Sequence, residues 1–336
     1  MASTIHDIAR MAGVSIGTVS RVINGKDRVA PDTRARVLSL IEQYNFRPRA
    51  SARGLAMNKT RSIMLLVSDI GNIYFAELAK EISRHCRVRG YKVLLGDSDE
   101  TISVESEHLK AMTDGSVDGL IIAPLSTDAN IAHYGDLIER GFPLVMLDTN
   151  LPGVKASCVR VDNRLGGEMA VDYLVEKGHR RIAFVSGDTT FQTNRLRYEG
   201  YCQGLQKHGL PLREPYLVPN QEFLEEQGFC GVERLMALAE PPTAIFATSD
   251  LTAMGCIRAA TAQGCRVPED VAVLGFDNLK ISAHLGIPLT TVGQPREEIG
   301  RQAVDLLLAK IDADKSKKLP IEERLVPPQI VVRASA

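Results

Sequence analysis

Residues 4–25 read TIHDIARMAGVSIGTVSRVING, and the embedded GVSIG at 13–17 fits the Gly-x-Ser-x-Gly pattern of a hydrolase nucleophile elbow. Such an elbow needs a buried strand before its serine and a helix after it. Here Ile5, Ile8, Ala9 and Ala12 repeat at helical spacing ahead of Ser15, so a helix comes first and the elbow fails. Thr4 and Asp7 are spaced as a capping box that starts this helix, and Gly13 ends it. Ser15 suits the N-cap of a second helix that turns Val19 and Val22 inward and stops at Asn24-Gly25. Two short helices joined by a glycine turn form a helix-turn-helix, whose second helix can enter a DNA major groove.

A third helix is expected from Pro31, with Val37, Leu38, Ile41 and Tyr44 as its apolar stripe. Together the three helices can close a small core of Ile8, Ala12, Val19, Val22, Val37 and Ile41. The charge is distributed to match. Residues 1–60 hold ten Lys/Arg against four Asp/Glu, a net +6, while the whole chain is at −1 and the remainder therefore at −7. A basic head on an acidic body fits phosphate neutralisation on nucleic acid.

Residues 47–61 are polar and basic and read as a linker. From Ser62 the pattern changes to short apolar runs alternating with amphipathic stretches. Strands are expected at 63–67, 92–95, 120–123, 144–147, 158–161, 182–185, 244–247 and 271–274, with helices at 76–88, 166–176, 197–208 and 252–263 between them. Repeated βαβ units imply parallel sheets flanked by helices, and this many strands divides into two lobes. Ligands of such folds bind at the C-terminal ends of strands, which points to Asp69, Asp148, Asp162, Asp250 and Asp277.

Several function classes are excluded by what the pattern lacks. No Walker loop or G-x-G-x-x-G follows the first strand, and the six scattered cysteines form no C-x-x-C pair, so no cofactor and no metal site are expected. No apolar run approaches membrane length, and the N-terminus has no secretory pattern, which places the chain in the cytoplasm. Apart from GVSIG there is no nucleophile-base arrangement, so an enzyme is not expected.

Over its entire length the sequence resembles the LacI/GalR family of transcription regulators. The resemblance is carried by TIHDIARMAGVSIGTVSRVING, RPRASARGLA, YFAELAKEI, VDGLIIAP, VDNRLGGEMAVDYLVEKGHRRIAFVSG, RLRYEGY, PTAIFATSDLTAMG, RVPEDVAVLGFDN and LTTVGQP, in the family's order. It implies a helix-turn-helix DNA-binding domain at 1–46, a hinge at 47–61, and a periplasmic-binding-protein-like α/β core at 62–336. Within the core the N-lobe is expected at about 62–162 and 294–320, and the C-lobe at about 163–293 and 321–336. The chain thus crosses between lobes three times.

By the same resemblance the protein is a repressor that binds a near-palindromic operator in double-stranded DNA as a homodimer. Ile16 and Gly17 occupy base-reading positions, and Arg21 matches a guanine contact. Ser15, Thr18, Ser20 and Asn24 hold register or bind phosphate. In the hinge, Leu55 matches a residue that wedges into the minor groove, with Arg49 and Arg53 on phosphate. The chain ends IVVRASA without a leucine-repeat tail, so a dimer is expected rather than a tail-assembled tetramer.

The effector contacts implied are Phe75, Asp148, Asp162, Arg197, Phe223, Ser249, Asp250 and Asp277. Carboxylates and a guanidinium suit the hydroxyls of a sugar, and the two phenyl rings suit its C–H faces. The purine-binding branch carries an aromatic after the strand-end aspartate. Thr149 stands there instead, which argues against a purine. Ser249 likewise replaces an amide side chain common among sugar binders. Two alternatives stay open: control by a phosphorylated protein corepressor, and a free-standing sugar-binding protein, which would need the signal sequence this chain lacks.

Overall fold

A computed structural model describes residues 4–23, 29–46, 59–125, 131–151, 153–187, 191–219, 225–314 and 319–336. The chain divides into two compact units, Met1–Arg61 and Ser62–Ala336.

In the first unit, α1 (Ile5–Ala12), α2 (Ile16–Ile23) and α3 (Pro31–Gln43) surround one small core. The Thr4–Asp7 capping box forms, with both reciprocal contacts in place, and Gly13 takes the left-handed conformation (φ 63°) that ends α1. Ser15 Oγ accepts a hydrogen bond from Thr18 N at 3.2 Å, so α2 begins on the cap its sequence suggests. Ser15 follows a helix rather than a strand, which disposes of the elbow. Ile8, Ala9, Ala12, Val19, Val22 and Val37 are buried, while Ile41 only flanks them. Val37 is the single fully buried side chain α3 contributes.

The second unit holds two six-stranded sheets. In the first, β11 (Glu323–Val326), β5 (Ser157–Val161), β4 (Leu144–Leu147), β3 (Gly119–Ile122), β1 (Ser62–Val67) and β2 (Lys92–Asp97) lie side by side, all parallel. In the second the order is β12 (Gln329–Val331), β10 (Thr290–Gly293), β9 (Ala272–Asp277), β8 (Ala244–Ala247), β6 (Ile182–Ser186) and β7 (Leu217–Pro219). Only β10 and β12 pair antiparallel there. Buried runs such as the four-residue β3, β4 and β8 explain why these strands show no alternation: helices cover both faces of a parallel sheet.

The helices of this unit are α4 (Ile73–Val88), α5 (Ile102–Ala111), α6 (Ile131–Glu139), α7 (Asn163–Glu176), α8 (Gln192–Lys207), α9 (Glu225–Met236), α10 (Asp250–Ala262) and α11 (Arg296–Asp312). Each sheet has its core on both sides. α7 and α8 approach closely enough that a Cβ on Gly200 would lie 2.0 Å from Arg164 O, and one on Gly167 would lie 2.3 Å from Arg197 O. Glycine is required at both positions by this backbone contact.

The chain passes between the sheets after β5, after β10 and after β11. The last passage corrects the expected boundary at 320. Glu323–Val326 pairs in parallel with Cys158–Val161, so it belongs to the first lobe. Arg160 and Glu323 fasten the pair with an ion pair. The crossing therefore falls at Pro327-Pro328, where neither residue can donate to a ladder.

Candidate functional site

Two sites follow from the two units. On the head, Ile16, Gly17 and Arg21 all lie on the exposed side of α2. Ile16 is 41% exposed, high for a large apolar side chain in so small a core. Arg21 Nε donates to Gly17 O at 3.1 Å, so the guanidinium folds back along its own helix. Ser15 Oγ and Thr18 Oγ1 are 3.0 Å apart and share a hydrogen bond. Thr18 and Ser20 are half-buried on the flanks of the helix. Asn24, Arg49, Arg53 and Leu55 lie outside the described residues.

In the second unit a cavity opens between the two sheets, at the C-terminal ends of their strands. Tyr74, Phe75, Asp148 and Thr149 line it from the first lobe, Phe191, Gln192, Arg197, Ser249 and Asp277 from the second, and Gln294 from the second crossing. Asp148 ends β4 with φ 60° and Asp277 ends β9 with φ 121°, both in the left-handed region. Non-glycine residues held there cluster at functional sites. Here the conformation turns each carboxylate out of its strand and into the cleft.

Arg197 is 5% exposed and fixed on three sides. Its Nε donates to Asn163 Oδ1 at 2.8 Å, its Nη1 to Thr248 O, and its plane lies 3.7 Å from the centre of the Phe276 ring. Nη2 remains towards the cavity, 3.9 Å from Asp277 Oδ1. Burial lowers the Arg197 pKa, and Asp277 and Asp148 oppose that by favouring the charged form. Burial also pushes the Asp148 carboxyl up to about 6, with Arg197 pulling it back down. Asp277 is raised by burial too, again against Arg197.

Five of the eight expected effector residues, Phe75, Asp148, Arg197, Ser249 and Asp277, are thus brought together. Asp162 and Asp250 are not among the lining residues. Asp162 Oδ1 caps α7 by accepting from Leu165 N at 3.0 Å. Asp250 is fully buried and accepts from Leu279 N, Ser282 Oγ and Thr291 Oγ1 at 2.7, 2.6 and 2.5 Å. With those donors satisfied it ties α10 to the end of β9 and to β10, a structural task. Phe223 lies outside the described residues.

Among the other lining residues, Tyr74, Thr149, Gln192 and Gln294 lie outside the expected effector set and form side-chain hydrogen bonds in the site. Tyr74 donates towards Asp148 Oδ1 (3.1 Å), Gln294 Nε2 donates to Asp277 Oδ1 (2.7 Å), and Thr149 Oγ1 donates across the cleft to Gln192 Oε1 (2.7 Å). Tyr74 is adjacent to Phe75, and Gln294 follows β10 as Asp148 follows β4. Because β10 is not among the strands expected from apolar runs, its end could not mark Gln294. Nothing in the sequence marks Gln192, because its role depends on the opposite lobe.

Among the described residues no group of His, Cys, Asp and Glu is arranged to hold a metal, and no helix is long and apolar enough to cross a membrane. Residues 4–49 match the model of bacterial regulatory proteins of the lacI family, and residues 171–336 match a periplasmic binding protein-like domain. The chain is 36% identical over 335 residues to the HTH-type transcriptional repressor PurR of Erwinia tasmaniensis, covering 99% of this chain and 96% of that one. Its fold superposes on a lac repressor dimer bound to operator and the anti-inducer ONPF with TM-score 0.88 at 26% identity, covering 100% of this chain and 99% of that one. A transcriptional regulator CelR–cellobiose complex matches with TM-score 0.74 at 30% identity, over 99% and 100% of the two chains.

Proposed function

Because the chain belongs to the LacI family of bacterial regulatory proteins, it is a DNA-binding transcription regulator, and we propose that it is a repressor controlled by a sugar or sugar derivative bound between its lobes. The observation that carries the effector class is the cavity itself. Two carboxylates, one immobilised guanidinium and the rings of Tyr74 and Phe75 converge there from both lobes. That set accepts from and donates to vicinal hydroxyls and covers C–H faces. The cellobiose held by the CelR relative is a ligand of this chemistry. The ligand set we propose is Phe75, Asp148, Arg197, Ser249 and Asp277, joined by Tyr74, Gln192 and Gln294; Asp162 and Asp250 serve the scaffold.

The regulator acts in the cytoplasm as a homodimer on a near-palindromic operator, one head per half-site. Arg21 reads a guanine, Ile16 offers apolar contact to a thymine methyl, and Ser15, Thr18, Ser20 and Asn24 engage phosphate or hold register. Arg49 and Arg53 neutralise phosphate beside a Leu55 wedge, whose unstacking cost of roughly a few kcal/mol is offset by the contacts of a bent duplex. An effector that favours one arrangement of the lobes shifts operator affinity by its differential affinity for the two. Such couplings run at about 1–3 kcal/mol, or ~5–150-fold. The protein works by binding, and neither site is assigned a catalytic step.

Isothermal titration against sugars, sugar phosphates and purines, with operator binding measured beside it, tests the assignment. A sugar that binds and shifts operator affinity supports it. Silence towards every small molecule overturns it in favour of control by a partner protein.

A further inference from the structure

Asp148 and Asp277 stand at the two ends of a chain of three polar contacts. Asp148 Oδ1 lies 3.1 Å from Tyr74 Oη, Tyr74 Oη lies 3.0 Å from Gln294 Oε1, and Gln294 Nε2 lies 2.7 Å from Asp277 Oδ1. Each contact needs one proton between its oxygens or nitrogen. With both carboxylates ionised only two are available: the Tyr74 hydroxyl proton, and one N–H on the side of the Gln294 amide that faces its neighbour. Exchanging the amide oxygen and nitrogen does not help. The amide then donates to Tyr74 and Tyr74 to Asp148, leaving the amide oxygen against the Asp277 carboxylate with no hydrogen between. Either arrangement is completed by one further proton on a carboxyl group.

We propose that the ligand-free cavity keeps one proton on the Asp148–Asp277 pair, resident on Asp148, and that an effector hydroxyl donating to Asp148 expels that proton to solvent. The second half rests on the interlobe cavity being the effector site; the first half does not.

The surroundings decide which carboxyl carries the proton. Asp277 faces Arg197 from α8 at 3.9 Å. Arg296, at the start of α11, donates to the Asp277 and Asn278 carbonyls, and is itself paired with Glu77 of α4 at 2.9 Å. Asp250 of α10 is the remaining acid that Asp277 feels. Asp148 faces Tyr74 of α4, the charge of Asp277 and the more distant side of Arg197. Two guanidiniums thus favour the ionised form of Asp277, so the proton is placed on Asp148, whose carboxyl burial raises to about 6. Below its midpoint Asp148 donates to Tyr74 and Tyr74 to Gln294. Above it Tyr74 turns its proton to the carboxylate and Gln294 Oε1 loses its donor. Since the ionised form is the one that accepts a ligand hydroxyl, effector affinity rises with pH through this transition.

Carbon-13 NMR of the full-length, ligand-free protein, labelled at the aspartate carboxyl carbons, tests the count without any effector. Asp250, which burial raises to about 7, titrates in every variant; beside it one further carboxyl is expected to titrate with a midpoint near about 6 and to be missing from Asp148→Asn. In Gln294→Leu the Tyr74 proton is no longer contested, so the Asp148 midpoint falls while that of Asp277, robbed of its donor, rises. No second resonance besides that of Asp250, a second one that survives Asp148→Asn, or one unmoved by Gln294→Leu overturns the proposal. For any sugar of the panel that binds, calorimetry in buffers of different ionisation enthalpy should show proton release near the midpoint and none in Asp148→Asn. Binding without release in the wild-type protein refutes the displacement step alone, and absence of any binding sugar refutes the effector assignment while leaving the proton count to the NMR.

Discussion

Gly17 is the odd residue of the recognition helix. It offers no side chain at a position we propose faces the bases, and glycine inside a helix costs up to about 1 kcal/mol relative to alanine. A Cβ there would meet only Ser15 Oγ, at 3.7 Å, which is ordinary contact. Gly17→Ala is therefore expected to raise the melting temperature of the head without displacing α2, and the wild-type operator should show loose preference at the base pair it faces. A site selection with strict preference there would contradict this. Arg21→Ala, by contrast, should cost about 1–3 kcal/mol of specific binding and relax one position of the site.

Asp148 carries a stability signature of its own. Its folded pKa, about 6, lies above the ordinary 3.8, so the folded protein binds the extra proton. Its favourable contribution is complete below the ordinary value and is lost as pH rises through about 6. Above that, an ionised carboxylate in the cavity is a net cost of at most about 3 kcal/mol, and less because the group is partly exposed. Asn tolerates the same left-handed backbone. Urea denaturation should accordingly find Asp148→Asn more stable than wild type at about pH 7.5, with the gap closing towards about pH 5. A constant gap would show that ionisation is not its source.

At the scale of elements, the α7–α8 contact sets where Arg197 stands, since α7 also supplies Asn163 to its Nε. Gly200→Val puts new atoms against Arg164 O and should cost about 1–3 kcal/mol or more of overpacking, with loss of effector binding. Full stability in that variant would mean that the helices have freedom to separate. Strand β2 offers another test. It is an edge strand with Leu94 and Leu95 each 44% exposed, an open ladder beside apolar side chains that a second copy of the chain can cover. Leu95→Glu should raise the monomer fraction in sedimentation. An unchanged dimer would move the interface elsewhere on the core.

All eight strands expected from apolar runs are present, along with the four core helices; most are parallel strands buried on both faces, which leave an unbroken hydrophobic signature, while the exposed edge strand β2 is marked only by its Val93-Leu94-Leu95 run. The four strands missed are short or polar. β10 buries Thr290 and Thr291 completely by satisfying their hydroxyls, and β11 keeps three of its four residues at least partly exposed. The Asp162, Asp250 and Asp148 side chains look alike in sequence, each at a strand end. Whether such a carboxylate caps a helix, ties elements together or faces a cavity depends on which N–H and O–H groups the other lobe or helix brings to it. For the same reason Gln192, and the bond that joins it to Thr149, could be found only once both lobes were in place.

For the whole molecule, a basic head and an acidic, ligand-binding core in one chain make sense only if DNA binding is specific and answerable to the cavity. The direct measurement is selection from a random duplex library with the full-length protein, followed by titration of the selected and random duplexes with and without the sugar panel. The expected result is an inverted repeat bound at least ~10³-fold more tightly than random DNA, both affinities falling steeply with salt, and a shift of ~5–150-fold for the repeat when the right sugar is present. Enrichment of no sequence, with selected and random duplexes bound alike, would contradict it.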